Sequence, residues 1–339
     1  MRVFLTGGTG LVGSHVALLL RAAGHDVRAL VRRGSDCAQL DDLGCALVEA
    51  DLSAEPAALA RDMEGCDAVV HAAALVGARA SRERYHALNV AGTSAVLAAA
   101  ASGGVSRAIH VSSVAVYGPI SGVVTEERWQ EQPIHPMAFY AWSKRVAEET
   151  AWTYDRRGGM RVTTVRPALI YGERDRHVAP RLDRITRLPV LPLPDGGRWT
   201  PPLVYAGNVA RGIVAALGRA GAAGRAYNLA QDHRVPLRDI VRAWCAIRCI
   251  RVPWMPGVPG GAIEGGARAA DAIVRILPGL ELPGLTRPAR LLRGDNPYDS
   301  SRARSELGWT EPVPLEEALR RTAGWLDARP GRTTNHEES

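Results

Sequence analysis

Lysine is almost missing from this chain. Of 42 basic residues only Lys144 is a lysine, and all the others are arginine. A guanidinium is a planar, permanently charged fork, whereas an ammonium is a compact point charge with three donors on a flexible stem. The exception therefore asks for a chemical reason. Cysteine is scarce too. Cys37, Cys45, Cys66, Cys245 and Cys249 are too scattered for a disulfide framework or a zinc site, and read as small buried residues in a reducing cytoplasm. No metal site is expected. No apolar run reaches the ~18–20 residues that a membrane span needs. The chain opens directly on the strand-like Arg2-Val-Phe-Leu-Thr6, which predicts no cleaved leader and a cytoplasmic location. A dense basic run is also lacking. The net charge is +7, but the arginines are spread along the whole length without interleaved aromatics, which argues against nucleic acid as a partner.

What is present is ordinary for a globular protein with a sizeable core: 339 residues, 46% hydrophobic and 23% charged. Short apolar runs at Val3–Thr6, Val27–Val31, Ala46–Ala50, Ala68–Ala73, Ala108–Ser112 and Arg161–Val165 predict strands. Helical patterns at Leu11–Ala23, Glu55–Met63, Arg84–Ser102 and Tyr140–Arg157 alternate with them. This rhythm predicts right-handed crossovers and an α/β fold with a doubly wound parallel sheet. After Pro167 the pattern loosens, and residues 172–202 and 251–297 are rich in proline, arginine and glycine. Strands are expected at Leu203–Tyr205 and Ala226–Leu229, and helices at Asn208–Leu217, Leu237–Ile247 and Leu315–Ala328. The expected organisation is a dinucleotide-binding domain over residues 1–166, with 203–230 folding back onto it. A smaller, irregular substrate-binding region covers 167–202 and 231–328, and 330–339 form a disordered tail.

The string Thr6-Gly7-Gly8-Thr9-Gly10-Leu11-Val12-Gly13 sits between the first strand and the first helix. Gly7 permits a tight turn, Gly10 lets backbone approach a diphosphate, and Gly13 allows close helix–strand contact. Thr9 and the N–H groups of Leu11 and Val12 open the helix whose positive end faces the phosphates. After the second strand comes Val31-Arg32-Arg33, where NAD enzymes usually carry an acidic residue for the ribose 2′-hydroxyl. An arginine pair neutralises a 2′-phosphate and bonds it bidentately, so NADP is expected, with NAD as the alternative. Asp51 and Leu52, at the end of the third strand, are placed to meet the adenine. His71-Ala72-Ala73-Ala74 ends the fourth, its small side chains leaving room for a cofactor. His71 itself reads as structural. Asn89 is expected to brace the backbone near the site. Ser112 and Ser113 stand at the C-terminal end of the fifth strand, where a serine faces the ligand crevice of a doubly wound sheet. Tyr140 precedes Lys144 by four residues, one helical turn, so the ammonium lies on the same face as the phenol and pulls it toward ionisation.

Together the glycine motif, Asp51, His71–Ala74, Ser113, Tyr140 and Lys144 resemble the extended short-chain dehydrogenase/reductase family. Arg166-Pro167-Ala168-Leu169-Ile-Tyr-Gly172, Tyr227–Leu229 and Ser301–Trp309 look like further signatures of it. The resemblance spans residues 1 to about 326. It implies a Rossmann-type sheet, with Tyr140 as acid/base and Lys144 as the charge that lowers its pKa and binds the nicotinamide ribose. Ser113 would orient the substrate, and Ser112, Asn89, Pro167, Ala168 and Leu169 would border the cofactor. A free phenol titrates near ~10, so without help little tyrosinate exists at neutral pH. A homodimer packed through helices such as Arg84–Ser102 and Tyr140–Arg157 is the family-level expectation.

Within the family, nucleotide-sugar 4,6-dehydratases carry Asp-Glu directly after the active-site Ser or Thr, where this chain has Val114 and Ala115. The decarboxylases need a glutamate at the second of these positions. Epimerases usually show an arginine just before the Val204-Tyr205 strand. Here the stretch is Trp199-Thr-Pro-Pro202, with Arg198 upstream and Arg293 as another source of a phosphate contact. What is left resembles the dihydroflavonol reductases and 3β-hydroxysteroid dehydrogenases, implying a reductase of a small-molecule carbonyl. An epimerase holding NAD and a non-catalytic dinucleotide-sensing regulator are the rival readings. Leu75, Met137, Phe139, Trp199 and Tyr205 are candidates to line the pocket, each with core packing as the alternative.

Overall fold

The computed structural model describes the chain except residues 53–55, 78–79, 157–158, 231–232, 263–264, 267–293, 311–312 and 329–339. Arg293 and the expected tail thus lie outside the described residues. Strands β1 (Arg2–Thr6), β2 (Asp26–Val31), β3 (Ala46–Glu49), β4 (Ala68–His71), β5 (Arg107–Val111) and β6 (Arg161–Pro167) form the first half. Between and after them come α1 (Leu11–Ala22), α2 (Ala38–Asp42), α3 (Pro56–Met63), α4 (Arg82–Tyr85), α5 (Gly92–Ser102) and α6 (Phe139–Arg156). In the second half are β7 (Leu169–Tyr171), β8 (Leu193–Pro194), β9 (Leu203–Tyr205), β10 (Ala226–Leu229) and β11 (Gly257–Val258). Its helices are α7 (Val178–Ile185), α8 (Ala206–Gly218), α9 (Leu237–Ile247), α10 (Ser301–Leu307) and α11 (Leu315–Asp327).

The main sheet has seven strands in the order β10-β6-β5-β4-β1-β2-β3, each pair parallel. This is a Rossmann-type fold. Both faces are covered, which explains the unbroken apolar runs of the strands. Alternation along β1 shows the two layers. Val3 and Leu5 join one core with Val16 and Leu20 of α1 and Val209 and Ile213 of α8. Phe4 joins the other, with Leu59 and Met63 of α3, Leu97 of α5 and Val162 of β6. The order reverses at β1 and β4, so their C-terminal ends flank the crevice in which such sheets take ligands.

By internal contacts one compact unit comprises Met1–Ile170, Val204–Asp232 and Tyr298–Val313, and the other described residues form a second. Residues 298–313 therefore depart from the expected substrate-binding region. Three hydrogen bonds explain why: Asn228 Nδ2 donates to Asp299 O at 3.0 Å, Ala230 N to Ser300 Oγ at 3.1 Å, and Trp309 Nε1 to Asn208 O at 2.8 Å. Of the two late strands, β10 joins the main sheet and β9 does not. In the second unit β8 pairs with β11, and Arg248 donates to Asp183 at 3.0 Å and to Asp327 at 2.5 Å. Helices α2, α7 and α10 stand where the sequence reading expects none. The five cysteines are not all buried as expected: Cys37 is half-buried and Cys249 exposed. No described helix is long and apolar enough to cross a membrane.

Candidate active site

The turn after β1 is made of backbone. Gly7 has φ +75°, and a Cβ there would stand 2.7 Å from Ala73 N and 2.8 Å from Ala72 C. A Cβ on Gly13 would stand 2.1 Å from Gly7 O. Both positions exclude any larger residue. Gly10 N donates to Gly7 O at 2.9 Å, and α1 starts from Gly10 without a side-chain cap. The first-turn N–H groups of Leu11 and Val12 accordingly have no intrahelical acceptor, and they carry the positive end of the helix dipole. This is a cradle that a dinucleotide diphosphate fits. Thr9 is half-buried beside it. Arg32 and Arg33 follow β2, exposed, neither guanidinium having a protein partner among the described residues. They fit a 2′-phosphate. Strand β3 stops at Glu49, and Asp51 lies exposed beyond it, while Leu52 is half-buried against α5 at Gly92.

His71 is held by a directed chain of bonds. Thr93 Oγ1 donates to Asn89 O at 2.6 Å, so at its 3.0 Å contact with His71 Nε2 it accepts. That puts the ring proton on Nε2 and makes Nδ1 the acceptor from Thr6 Oγ1 at 2.7 Å. Thr6 Oγ1 in turn accepts from Ala73 N at 3.3 Å. Burial pushes the His71 pKa down to about 3, with the Lys144 charge adding to it. The ring is neutral and structural, fastening β4 to β1 and α5. Ala72 N donates to Thr6 O at 3.2 Å, and Ala72, Ala73 and Ala74 are half-buried along the crevice.

Asn89 sits on a π-helical turn, His86–Ala91, that runs into α5. Its Oδ1 accepts from Leu75 N at 2.7 Å, and its Nδ2 donates to Leu75 O at 3.2 Å and Ser143 Oγ at 3.0 Å. Ser143 Oγ donates to Tyr140 O at 2.8 Å. Both amide protons are spent on protein, so the Asn89 side chain braces α6 instead of donating to a cofactor. Ser112 departs in the same way: its hydroxyl turns inward and donates to Glu148 Oε2 at 2.6 Å.

Lys144, on α6, is 3% exposed. Its Nζ donates to Val111 O, the last residue of β5, at 2.6 Å. Burial lowers the ammonium pKa to about 8, against the opposing pull of Glu148. A surface lysine this is not. Tyr140, one turn earlier, is half-buried with its ring edge-on to Tyr85 at 6.3 Å. Two residues after Val111, Ser113 caps the 3₁₀ turn Val114–Tyr117, its Oγ accepting from Ala115 N at 3.2 Å. As an acceptor there it keeps its own proton for another partner. Val114 and Ala115 are buried in that turn, so no carboxylate stands beside Ser113 at these positions. Pro167 ends β6, and the next residue is tied down by Ala168 N donating to Leu229 O at 3.2 Å, with Ala168 and Leu169 half-buried.

Of the pocket candidates, Tyr205 is core, 1% exposed with its ring against His15 at 5.5 Å. Trp199 Nε1 donates to Asp195 at 2.9 Å. Among the described residues no group of three or more His, Cys, Asp or Glu is placed to hold a metal ion. Sequence reasoning passed over the buried ion pair of Glu148 with Arg166. The available signal was the stripe Tyr140, Lys144, Glu148 at four-residue steps on one helix.

The profile of the NAD dependent epimerase/dehydratase family matches residues 3–230. A 4-hydroxy-2-methyl-3-oxo-4-farnesyl-3,4-dihydroquinoline-1-oxide ketoreductase of Stigmatella aurantiaca is 32% identical, over 94% of this chain and 95% of its own. A 2-alkyl-3-oxoalkanoate reductase of Stenotrophomonas maltophilia is 30% identical, over 95% of this chain and 98% of its own. Among solved structures, a UDP-glucuronic acid 4-epimerase of Bacillus cereus in complex with NAD superposes with a TM-score of 0.72. At 20% identity, over 96% of this chain and 99% of the other, it shows the shared fold.

Proposed function

Because the chain belongs to the NAD dependent epimerase/dehydratase family and is an NAD(P)-dependent enzyme of the extended short-chain dehydrogenase/reductase type, we propose that it is an NADP(H)-dependent ketoreductase. Its substrate is a small organic ketone with an apolar alkyl or isoprenoid substituent, or the matching secondary alcohol. The carrying observation is the Lys144 ammonium, buried at the end of β5 on the helix of Tyr140 and next to the Ser113 turn. The names of the two relatives, covering nearly the whole chain, point the same way.

When bound, the nicotinamide supplies or accepts the hydride. The Gly7–Gly13 turn and the start of α1 hold the diphosphate, and Arg32 with Arg33 the 2′-phosphate. Ser113 and Tyr140 hydrogen-bond the carbonyl oxygen, and in reduction Tyr140 gives it the proton. The Lys144 charge stabilises the tyrosinate left behind and so lowers the barrier to that transfer. Val114 and Ala115 provide neither acid nor base for an elimination. The solved epimerase shares the fold at 20% identity, and fold alone does not carry chemistry. We further propose cytoplasmic action as a homodimer packed through α5 and α6, testable by light scattering.

The test is an assay with NADPH and NADH on 2-alkyl-3-oxoalkanoates and cyclic ketones, alongside UDP-glucose and UDP-glucuronic acid. Consumption of NADPH by a ketone is the expected result. Interconversion of a UDP-sugar without added cofactor, and no ketone turnover, would overturn it.

A further inference from the structure

Tyr140, Lys144 and Glu148 fall at successive four-residue steps of α6 and form one stripe. The third member is the most enclosed: Glu148 is 0% exposed. A buried carboxylate is tolerated only where donors surround it, and here they come from three elements. Ser112 Oγ, at the end of β5, donates to Oε2 at 2.6 Å. Arg166 Nε, on β6, donates to Oε1 at 3.0 Å and Oε2 at 3.2 Å, and its Nη2 also bonds Oε1. Trp152 Nε1, one turn on along α6, donates to Oε1 at 3.3 Å. Arg166 is itself fixed from beyond, its Nη1 reaching Tyr117 OH at 2.8 Å and Glu126 O at 2.9 Å. The carboxylate therefore fastens α6 to the peptide that leads directly into Ser113.

We propose that Glu148 is a positioning residue for the catalytic pair: it locks the β5 terminus behind Ser113 and holds a negative charge one helical turn from the Lys144 ammonium. The turnover arm rests on the ketoreductase reading above. Lys144 otherwise faces the Val111 carbonyl on β5 and two neutral rings, His71 on β4 and His110 on β5, both kept uncharged by burial. Glu148 is the group whose charge holds the proton on Lys144 against that burial. Facing Glu148 are Arg166 from β6 and Lys144 and Arg145 from α6, with Glu126 and Tyr117 beyond Arg166 and Glu149 beside Arg145. Without its carboxylate, Arg166 would stand as an uncompensated buried cation. Both changes drive the Lys144 pKa in the same direction, down.

A chain with one lysine makes this measurable. Protein grown on ¹³Cε-lysine gives a single lysine Cε resonance, and its pH titration reads Lys144 directly, with a midpoint expected at about 8 in the parent protein. In Glu148→Gln the midpoint should fall by about one unit or more. The alkaline limb of kcat for alcohol oxidation should follow it down while KM for the alcohol holds. A Gln variant that folds but titrates at the parent midpoint would overturn the proposal. Glu148→Asp keeps the charge and withdraws the carboxylate by one methylene, so its midpoint should stay while kcat falls. If the Gln variant does not fold, Ser112→Ala joins the Asp variant as the test. Parent-like kcat in both would overturn the proposal, and a severalfold fall at unchanged KM would support it. A purely structural ion pair would change melting temperature in these variants without moving the titration. Should the resonance shift as stated while no ketone is turned over by the parent, the coupling stands and the ketoreductase reading falls.

Discussion

The Nζ of Lys144 lies 2.6 Å from the carbonyl oxygen of Val111, so the chain's only lysine is fastened to the strand end that presents Ser113. One bond thereby fixes the helix of Tyr140 against the strand of Ser113. Lys144 is 3% exposed, so the wider guanidinium fork would have to displace its surroundings there.

Lys144→Arg should then fail in two ways. The guanidinium overfills a buried position, and overpacking of this kind costs about 1–3 kcal/mol, visible as a lower melting temperature. Turnover should collapse as well, because the wider head group cannot take the point-charge position beside the phenol. A thermal melt and a steady-state assay on one preparation check both. Parent-like activity would remove Lys144 from the mechanism.

Tyr140→Phe should leave NADPH binding nearly intact, since the lost group is a single hydroxyl on a half-buried ring. Turnover should drop by at least the ~10²-fold typical of a missing positioned acid/base. Fluorescence titration with NADPH separates the two effects. Turnover at the parent rate would sink the assigned role.

Replacing Arg32 and Arg33 together by alanine should weaken NADPH far more than NADH. Only NADPH carries the 2′-phosphate, and each lost charge-assisted contact costs about 1.5–3 kcal/mol. Both side chains are exposed, so stability should not change measurably. Equal weakening of the two cofactors would mean that the pair acts only through its general field.

Acid should unfold this protein through its buried histidines. Burial holds His71 near 3 and His233 near 4, and pushes His110 well below its ordinary 6.5. Each binds its proton more readily when unfolded. The stability they contribute is complete above about 6.5 and is lost as pH falls from there toward the folded-state values. At pH 5 the loss is about 2 kcal/mol for a group such as His71. Urea melts at pH 7.5 and pH 5 measure it. His110, whose two ring nitrogens have no hydrogen-bond partner among the described residues, offers the control. His110→Leu should flatten the pH dependence, and an unchanged slope would show that His110 does not titrate on unfolding.

Local pattern determined the frame. Apolar runs alternating with helical periods defined β1 to β6 and the helices α1, α3 and α6 to within about two residues, because each element buries its own stripe on the sheet, whereas α2 carried no such signal and the expected helix Arg84–Ser102 is broken by a π-helical turn. The glycine string and the Tyr140–Lys144 step were legible for the same reason, being local spacings with a local geometric meaning. The tertiary structure decided what those side chains meet. No spacing shows that Ser112 points to Glu148, that Asn89 spends its amide on Leu75 and Ser143, or that Asp299, Ser300 and Trp309 return to the first unit. These are bonds between residues far apart in sequence, chosen by which buried donors are left without an acceptor once the sheet has closed. The same closure settled Lys144, whose meaning came less from its charge than from its burial beneath the end of β5.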